Sequence, residues 1–81
     1  AGVPIHLTAT EFRVLEHLMR RAGRASSRAQ IIEAVWGFET DVESNTVDVF
    51  IKLLREKIDQ GHARRIIQTV RGYGYILREE A

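Results

Sequence analysis

The sequence predicts an α+β domain in which three helices precede a C-terminal β-hairpin. Three observations carry this prediction: two capping boxes that each open an amphipathic segment, a third apolar stripe of helical period, and two short strand-like runs joined by a glycine-containing turn. A chain of 81 residues has room for one domain. A content of 44% hydrophobic and 28% charged residues is typical of a folded globule.

The first helix is predicted over 8–22. Thr8 and Glu11 have the spacing of a capping box, in which the hydroxyl accepts from the third helical amide and the carboxylate reaches back. Gly23 supplies a left-handed stop. The apolar residues at helical spacing are expected to be buried: Phe12, Leu15, Leu18, Met19 and Ala22. Residues 4–7 are predicted to form a short extended piece before this helix.

The second helix is predicted over 27–36, where Ser27 and Gln30 form a second capping box. The link before it, residues 24–26, is too short to be a flexible linker and is a candidate to pair as a brief strand. Gly37 ends the helix. Residues 37–44 contain three acids without clear periodicity and are predicted to be a loop.

The third helix is predicted over 45–59 and the β-hairpin over 66–77. The helix has one apolar stripe, formed by Val47, Ile51, Leu54 and Ile58. In the hairpin, Gly72 and Gly74 are expected to permit a tight or left-handed turn. Three helices followed by a two-stranded hairpin are the layout of a winged helix-turn-helix.

The net charge of +1 is unevenly distributed along the chain. Residues 1–44 carry five basic and six acidic residues, a net charge of −1, whereas residues 45–81 carry seven basic and five acidic residues, a net charge of +2. The stretch 60–78 holds four arginines and no carboxylate. Such a stretch indicates either a surface that faces an anion or an ordinary solvated face.

Several function classes have no support in the sequence. The absence of cysteine excludes disulfides and thiolate zinc sites, and it fits a cytoplasmic protein. No apolar run approaches the ~20 residues that span a bilayer, so no membrane association is expected. The three histidines lack metal-ligand spacing, and neither a serine nucleophile motif nor a phosphate-binding glycine loop is present. We therefore expect no enzyme, no cofactor and no metal.

Five short motifs give the chain a specific resemblance. They are Leu7-Thr8-x-x-Glu11-Phe12, Ser27-Arg28-x-Gln30, Val35-Trp36-Gly37, Thr46-Val47-Asp48-Val49 with Ile51-x-x-Leu54-Arg55-x-Lys57, and Gln68-Thr69-Val70-Arg71-Gly72-Tyr73-Gly74-Tyr75. In this order they resemble the DNA-binding effector domain of OmpR/PhoB-type response regulators, over residues 5–77. That family begins the domain with a four-stranded sheet, and only its last strand fits before Thr8. The N-terminal sheet is therefore expected to be largely missing.

The resemblance implies sequence-specific binding of double-stranded DNA by the output domain of a two-component transcriptional regulator. The third helix would lie in the major groove, with Asn45, Thr46, Val49, Lys52 and Leu53 facing the bases. The DNA backbone would be contacted by Arg28, Trp36, Arg55, Thr69 and Tyr73. The arginine of the hairpin motif, Arg71, would enter the minor groove. Lys52 and Arg55 are the expected ligands for phosphate or guanine.

Two residues of the third helix leave alternatives open. Leu53 stands where family members often have arginine, which removes one donor. Val49 and Leu53 either meet thymine methyl groups or turn inward against the loop or the hairpin. Because the net charge is near zero and Leu53 is apolar, a winged-helix module that binds protein and not DNA is the second functional hypothesis.

The remaining partners are also implied by the resemblance. The loop with Glu39, Asp41 and Glu43 faces RNA polymerase in the family, although a solvated loop is the alternative. A direct-repeat operator is expected, together with a receiver domain in the full-length protein. Loss of the N-terminal sheet would expose apolar surface of the first helix, which predicts self-association or lowered stability.

Overall fold

The computed structural model of the chain describes residues 6–38, 40–58 and 67–78. Its elements are α1 (Ala9–Arg20), β1 (Ser26–Ser27), α2 (Arg28–Trp36), α3 (Ser44–Ile58), β2 (Ile67–Val70) and β3 (Gly74–Leu77). The predicted α+β class, the three helices and the C-terminal hairpin are confirmed. We call β2, β3 and the turn between them the wing, and we call Arg71–Tyr73 the wing turn.

Both predicted capping boxes are present. The amide of Thr8 donates to Glu11 Oε1 at 2.8 Å, and the amide of Glu11 donates to Thr8 Oγ1 at 3.2 Å. Ser27 and Gln30 exchange the equivalent bonds at 2.8 and 3.0 Å. Side chains thus satisfy amides that the first turn of each helix leaves without an internal partner.

The predicted boundaries need small corrections. Helix α1 ends at Arg20, two residues early, because the chain turns there toward Gly23, whose φ is 85°. Helix α3 begins at Ser44, inside the predicted loop. Of the predicted strand 4–7, the first two residues lie outside the described part of the chain, and the last two belong to no strand.

A three-stranded antiparallel sheet has the order β1-β3-β2. The link between α1 and α2 does pair as a brief strand: Ser26 lies opposite Tyr75, and Ser27 lies opposite Gly74. The amide of Gly23 also donates to the carbonyl of Leu77 at 2.9 Å. The wing is therefore attached to the segment that connects the first two helices.

The two glycines of the hairpin have different roles, which corrects the prediction for one of them. Gly72 has a φ of 70° and provides the left-handed position of the wing turn. Gly74 has no positive φ, and it lies in β3 beside Ser26. A Cβ atom at this position would overlap the carbonyl oxygen of Ser26, so glycine is required there by close packing of the strands.

The core lies between the three helices and the wing. Its buried apolar side chains are Val14, Leu18, Ile31, Val35, Val47, Ile51, Leu54, Ile67 and Tyr75. The stripe predicted for α3 is confirmed, with three members buried and Ile58 half-buried.

The stripe predicted for α1 is wrong for three of its members. Phe12 and Met19 are 54% and 58% exposed, and Ala22 is exposed, whereas Val14 and Leu18 are buried. At 100° per residue, Phe12 and Met19 lie about a third of a turn away from the Val14 and Leu18 side. Helix α1 thus packs on the core through the side that carries Val14 and Leu18, and the side that carries Phe12 and Met19 faces solvent.

An ion pair between a half-buried lysine and a buried carboxylate joins the start of α1 to the end of α3. Lys57 Nζ lies 2.6 Å from Glu11 Oε1, and the Glu11 side chain is 3% exposed. The hydrogen bond from Lys57, followed by that from the Thr8 amide, holds the pKa of the Glu11 carboxyl below its ordinary value, although burial acts in the opposite direction. Glu11 therefore serves as a capping residue and as a buried partner for α3.

Candidate nucleic-acid interface

We call the five residues predicted to face bases the outer face of α3; the exposed carboxylate of Glu56 lies one turn beyond Lys52 on the same side. Asn45, Val49, Lys52 and Leu53 are exposed, and Thr46 is half-buried. Val49 is 55% exposed and Leu53 is 37% exposed, so neither side chain is packed inward. The helix thus offers solvent a mixed surface with an amide, a hydroxyl, an ammonium group and two apolar side chains.

The wing turn places Arg71 and Tyr73 at the surface. Arg71 is exposed, and Tyr73 is 45% exposed. The amide of Tyr73 donates to Val70 O at 3.0 Å, which closes the turn. The carbonyl of Tyr73 accepts from the amide of Arg28 at 3.4 Å. The turn is thus closed on itself and connected to the first residue of α2.

Trp36, predicted to contact the DNA backbone, ends α2 and is half-buried. Its ring packs on that of Phe50 in α3, with 5.5 Å between centroids and an interplanar angle of 56°. This tilted geometry is favourable for aromatic pairs and fixes the C-terminus of α2 against α3. Phe50 is half-buried and also packs against the core.

Arg28, predicted to contact phosphate, is paired within the domain. Its Nε donates to Asp48 Oδ1 at 2.9 Å, and this hydrogen bond raises the pKa of the Arg28 guanidinium. The guanidinium carbon also lies over the ring of Tyr75, 5.4 Å from its centroid. The side chain thus connects the start of α2 to α3 and to β3.

Arg55 and Thr69, both predicted to contact the backbone of DNA, contact each other. Arg55 Nη2 donates to Thr69 Oγ1 at 2.8 Å, and Nε donates to the carbonyl of Ile67 at 3.1 Å. The guanidinium carbon of Arg55 lies 5.6 Å from the ring centroid of Tyr75. These bonds place β2 directly beside α3.

Asp48 and Tyr75 form the centre of these contacts. The Tyr75 hydroxyl donates to Asp48 Oδ1, the same oxygen that accepts from Arg28. Burial raises the pKa of the Asp48 carboxyl, but the hydrogen bonds from Tyr75 and Arg28 outweigh it, and the pKa is lowered overall. Burial and the bond to Asp48 raise the pKa of Tyr75.

The sequence did not identify Asp48 and Tyr75 as residues that join α3 to α2 and to the wing. The available signal was the spacing of Asp48 and Arg55, which are seven residues apart and so lie on one flank of α3. A carboxylate and a guanidinium on the same flank, beside the outer face, indicate a polar contact with a neighbouring element. We call Arg28, Asp48, Arg55, Thr69 and Tyr75 the wing-base network.

The acidic loop is only partly described. Glu39 lies outside the described residues, as do Arg64 and Arg65 of the basic stretch. Asp41 and Glu43 are exposed, and Phe38, at the start of the loop, is 84% exposed.

Within residues 6–38, 40–58 and 67–78, no group of three or more histidine, cysteine or acidic side chains is arranged to hold a metal ion. No helix among these residues has the length and apolar character needed to cross a membrane.

Comparisons with known proteins identify the family. Residues 2–77 match the model for "Transcriptional regulatory protein, C terminal". The response regulator ArlR of Staphylococcus saprophyticus is 44% identical over 78 residues, which are 96% of this chain and 36% of that protein. The chain spans about a third of the length of the curated relatives that it matches.

Solved structures agree with this assignment. The DNA-binding domain of CssR from Bacillus subtilis has a TM-score of 0.82 at 30% identity, over 94% of this chain and 82% of that one. The DNA-binding domain of RstA from Klebsiella pneumoniae, solved with the RstA box, has a TM-score of 0.80 at 31% identity, over 95% and 77%.

The fold is thus a winged helix of the kind found in response regulators. The chain belongs to the family of C-terminal domains of transcriptional regulatory proteins, and the resemblance to OmpR/PhoB-type effector domains is confirmed.

Proposed function

We propose that the chain binds duplex DNA sequence-specifically, as the output domain of a two-component transcriptional regulator. The observation that carries the proposal is the exposed outer face of α3 beside a wing turn whose arginine is also exposed. The DNA-binding domain of RstA was solved in complex with the RstA box, which supports the same function here. The full-length protein would add a receiver domain, since this chain spans about a third of its relatives.

The binding geometry follows from the dimensions of DNA. The major groove admits one helix, and α3 would place Asn45, Thr46, Val49, Lys52 and Leu53 against base edges. Arg71 would enter the minor groove, where a narrow groove concentrates negative potential. Trp36 and Tyr73 flank these elements and would contact the DNA backbone. Two such domains on a direct-repeat operator would double the contacted length.

Binding of a duplex selected from random sequences tests the proposal. Between about 50 and 200 mM salt, the logarithm of the binding constant should fall linearly with the logarithm of the salt concentration. The slope should be about −0.9 for each phosphate that the protein neutralises. Lys52→Ala and Arg71→Ala should each weaken binding about tenfold, the equivalent of ~1.4 kcal/mol. Lys52→Ala should also reduce the slope by ~0.9 if the ammonium group neutralises a phosphate.

Arg20→Ala is the matched control, because it removes the same charge from an exposed position on α1, where Arg20 pairs only with Glu16 among the described residues. The DNA affinity of this variant should stay within about twofold of that of the wild-type chain, because an exposed ion pair contributes little. Equal effects of all three substitutions would indicate unspecific attraction. A salt slope near zero would contradict DNA binding and favour the protein-binding alternative.

We also propose that the acidic loop contacts RNA polymerase. The exposed ring of Phe38 beside exposed Asp41 and Glu43 supports a protein partner, because a large apolar side chain gains from burial and carboxylates oppose DNA. Phe38→Ala should reduce transcription from a bound promoter without changing DNA affinity. Unchanged transcription with the full-length variant would contradict this role.

A further inference from the structure

We propose that Asp48 and Tyr75 are positioning residues for DNA binding, which set where the wing turn lies relative to α3. The inference rests on the proposed function and goes beyond it. It assigns a role to a buried tyrosine and to a half-buried carboxylate that accepts hydrogen bonds within the domain. It also changes the role expected of Arg28 and Arg55.

Asp48 joins the three elements that would meet DNA. One of its carboxylate oxygens accepts from Arg28 at the start of α2 and from the Tyr75 hydroxyl in β3, while Asp48 itself belongs to α3. Hydrogen bonds to a carboxylate are stronger than bonds between neutral groups. A shift of β3 relative to α3 would therefore break a charge-assisted bond.

Arg55 fixes the other strand of the wing. Its guanidinium donates to a backbone carbonyl and to a side chain of β2, at 3.1 and 2.8 Å. Because arginine presents several donors in a rigid fork, two bonds to one strand fix its distance and its orientation. With Tyr75 in β3 bonded to Asp48, both strands of the wing are held by the same helix.

The network extends to the wing turn itself. Arg28 donates its backbone amide to Tyr73 O, two residues after Arg71, while its side chain is held by Asp48. The position of the turn is thus coupled through one residue to the carboxylate in α3. Arg28 donates through Nε, and Arg55 through Nε and Nη2, to groups inside the domain. In this inference both residues contribute to DNA binding by setting the position of Arg71.

A double-mutant cycle between Tyr75→Phe and Arg71→Ala tests the inference. Tyr75→Phe removes only a hydroxyl group. Because Tyr75 is 5% exposed, this hydroxyl cannot reach DNA while the wing is folded. With Arg71 present, the substitution should weaken binding of the selected duplex about fivefold, the lower end of coupling between distinct sites. In the Arg71→Ala background its effect should be clearly smaller, because Tyr73 is then the remaining proposed DNA contact of the wing turn.

Lys57→Ala is the control for a general loss of stability. The substitution breaks the pair with Glu11 at the C-terminal end of α3, and among the described residues Lys57 forms no hydrogen bond or ion pair with the wing-base network. It should lower the melting temperature while changing affinity equally in both backgrounds. If Tyr75→Phe fails to fold, Asp48→Asn, which removes the charge that accepts from Arg28 and Tyr75, replaces it in the cycle.

The outcomes separate this inference from the proposed function. If wild-type chain binds the duplex and Arg71→Ala weakens it, but Tyr75→Phe has the same effect in both backgrounds, only the positioning role is overturned. If the wild-type chain does not bind any selected duplex, or Arg71→Ala has no effect, the proposed use of the wing fails and the positioning role fails with it.

Discussion

The outer face and the inner flanks of α3 use similar residues in opposite ways. Lys52 on the outer face is exposed, whereas Arg55 donates to the wing and Lys57 pairs with a buried carboxylate. Leu53 is 37% exposed, whereas its neighbour Leu54 is fully buried. One helix thus carries both the binding surface and the contacts that hold the domain together.

The difference teaches that counting the basic residues on a helix does not tell how many of them are free to bind an anion. Helix α3 contains three basic residues, Lys52, Arg55 and Lys57. Two of them, Arg55 and Lys57, donate to groups inside the domain. Such a cation has already lost water and gained a partner, so a phosphate would have to compete with that partner. Exposure, together with existing bonds, separates the candidate DNA ligands from the structural cations.

The largest effect should come from the pair of adjacent leucines. Leu54→Ala leaves a cavity in the core and should lower the free energy of unfolding by about 2–5 kcal/mol. Leu53→Ala should change it by less than about 0.5 kcal/mol, because surface substitutions rarely exceed this. Urea denaturation of both variants measures the difference. Similar losses for the two would mean that the outer face also contributes to the core.

The ion pair of Glu11 and Lys57 should produce an intermediate effect that depends on pH. The pKa of Glu11 is lowered from its ordinary value of 4.5 by folding, so its contribution to stability is present above pH 4.5 and is lost as the pH falls through the lower, folded pKa. Glu11→Gln removes this titration. At about pH 7 the variant should melt about 5 °C lower, which is ~1 kcal/mol for a domain of this size.

The melting temperatures of wild type and Glu11→Gln should converge as the pH falls below 4.5. Asp48, whose pKa is also lowered, is present in both proteins and should not contribute to their difference. A constant difference between wild type and Glu11→Gln across this range would show that the carboxylate does not stabilise the fold through its charge.

The smallest effect should come from the apolar part of the outer face. If Val49 and Leu53 contact thymine methyl groups, replacing those thymines by deoxyuridine should weaken binding about two- to fourfold, because one buried methyl group contributes about 0.8 kcal/mol. Binding of the double variant Val49→Ala, Leu53→Ala should be insensitive to the replacement, while Lys52→Ala should remain sensitive. Equal sensitivity of all three proteins would place the methyl groups against another element.

Much of the fold was predictable because its local signals are strong. The two capping boxes, the stripe of α3 and the order of elements follow from short-range chemistry, and even the brief strand at Ser26 was anticipated from the length of its link. The buried stripe of α1 was not, because several apolar residues compete for the inward position and only the neighbouring helices decide between them. Phe12 and Met19 show that hydrophobicity alone does not select the buried side.

The candidate site was predictable in part. The exposure of Asn45, Val49, Lys52 and Arg71 agrees with the roles expected of them, and those roles stay predictions. The internal partners of Arg28 and Arg55 could not be read from the sequence, because Asp48 and Thr69 are 20 and 14 residues away and come close only after folding. Long-range pairing of charges is set by tertiary packing, which a local pattern does not encode.

Strand β1 is only two residues long, and its second residue, Ser27, is also the N-cap of α2. One residue therefore belongs to the sheet and to the helix at once. If the wing separates from β1, we expect the backbone of Ser27 to become freer and the bond from the Gln30 amide to Ser27 Oγ, a cap worth ~1 kcal/mol, to weaken. Opening of the wing and fraying of α2 would then be coupled, and hydrogen exchange at the Gln30 amide would report on motion of the hairpin.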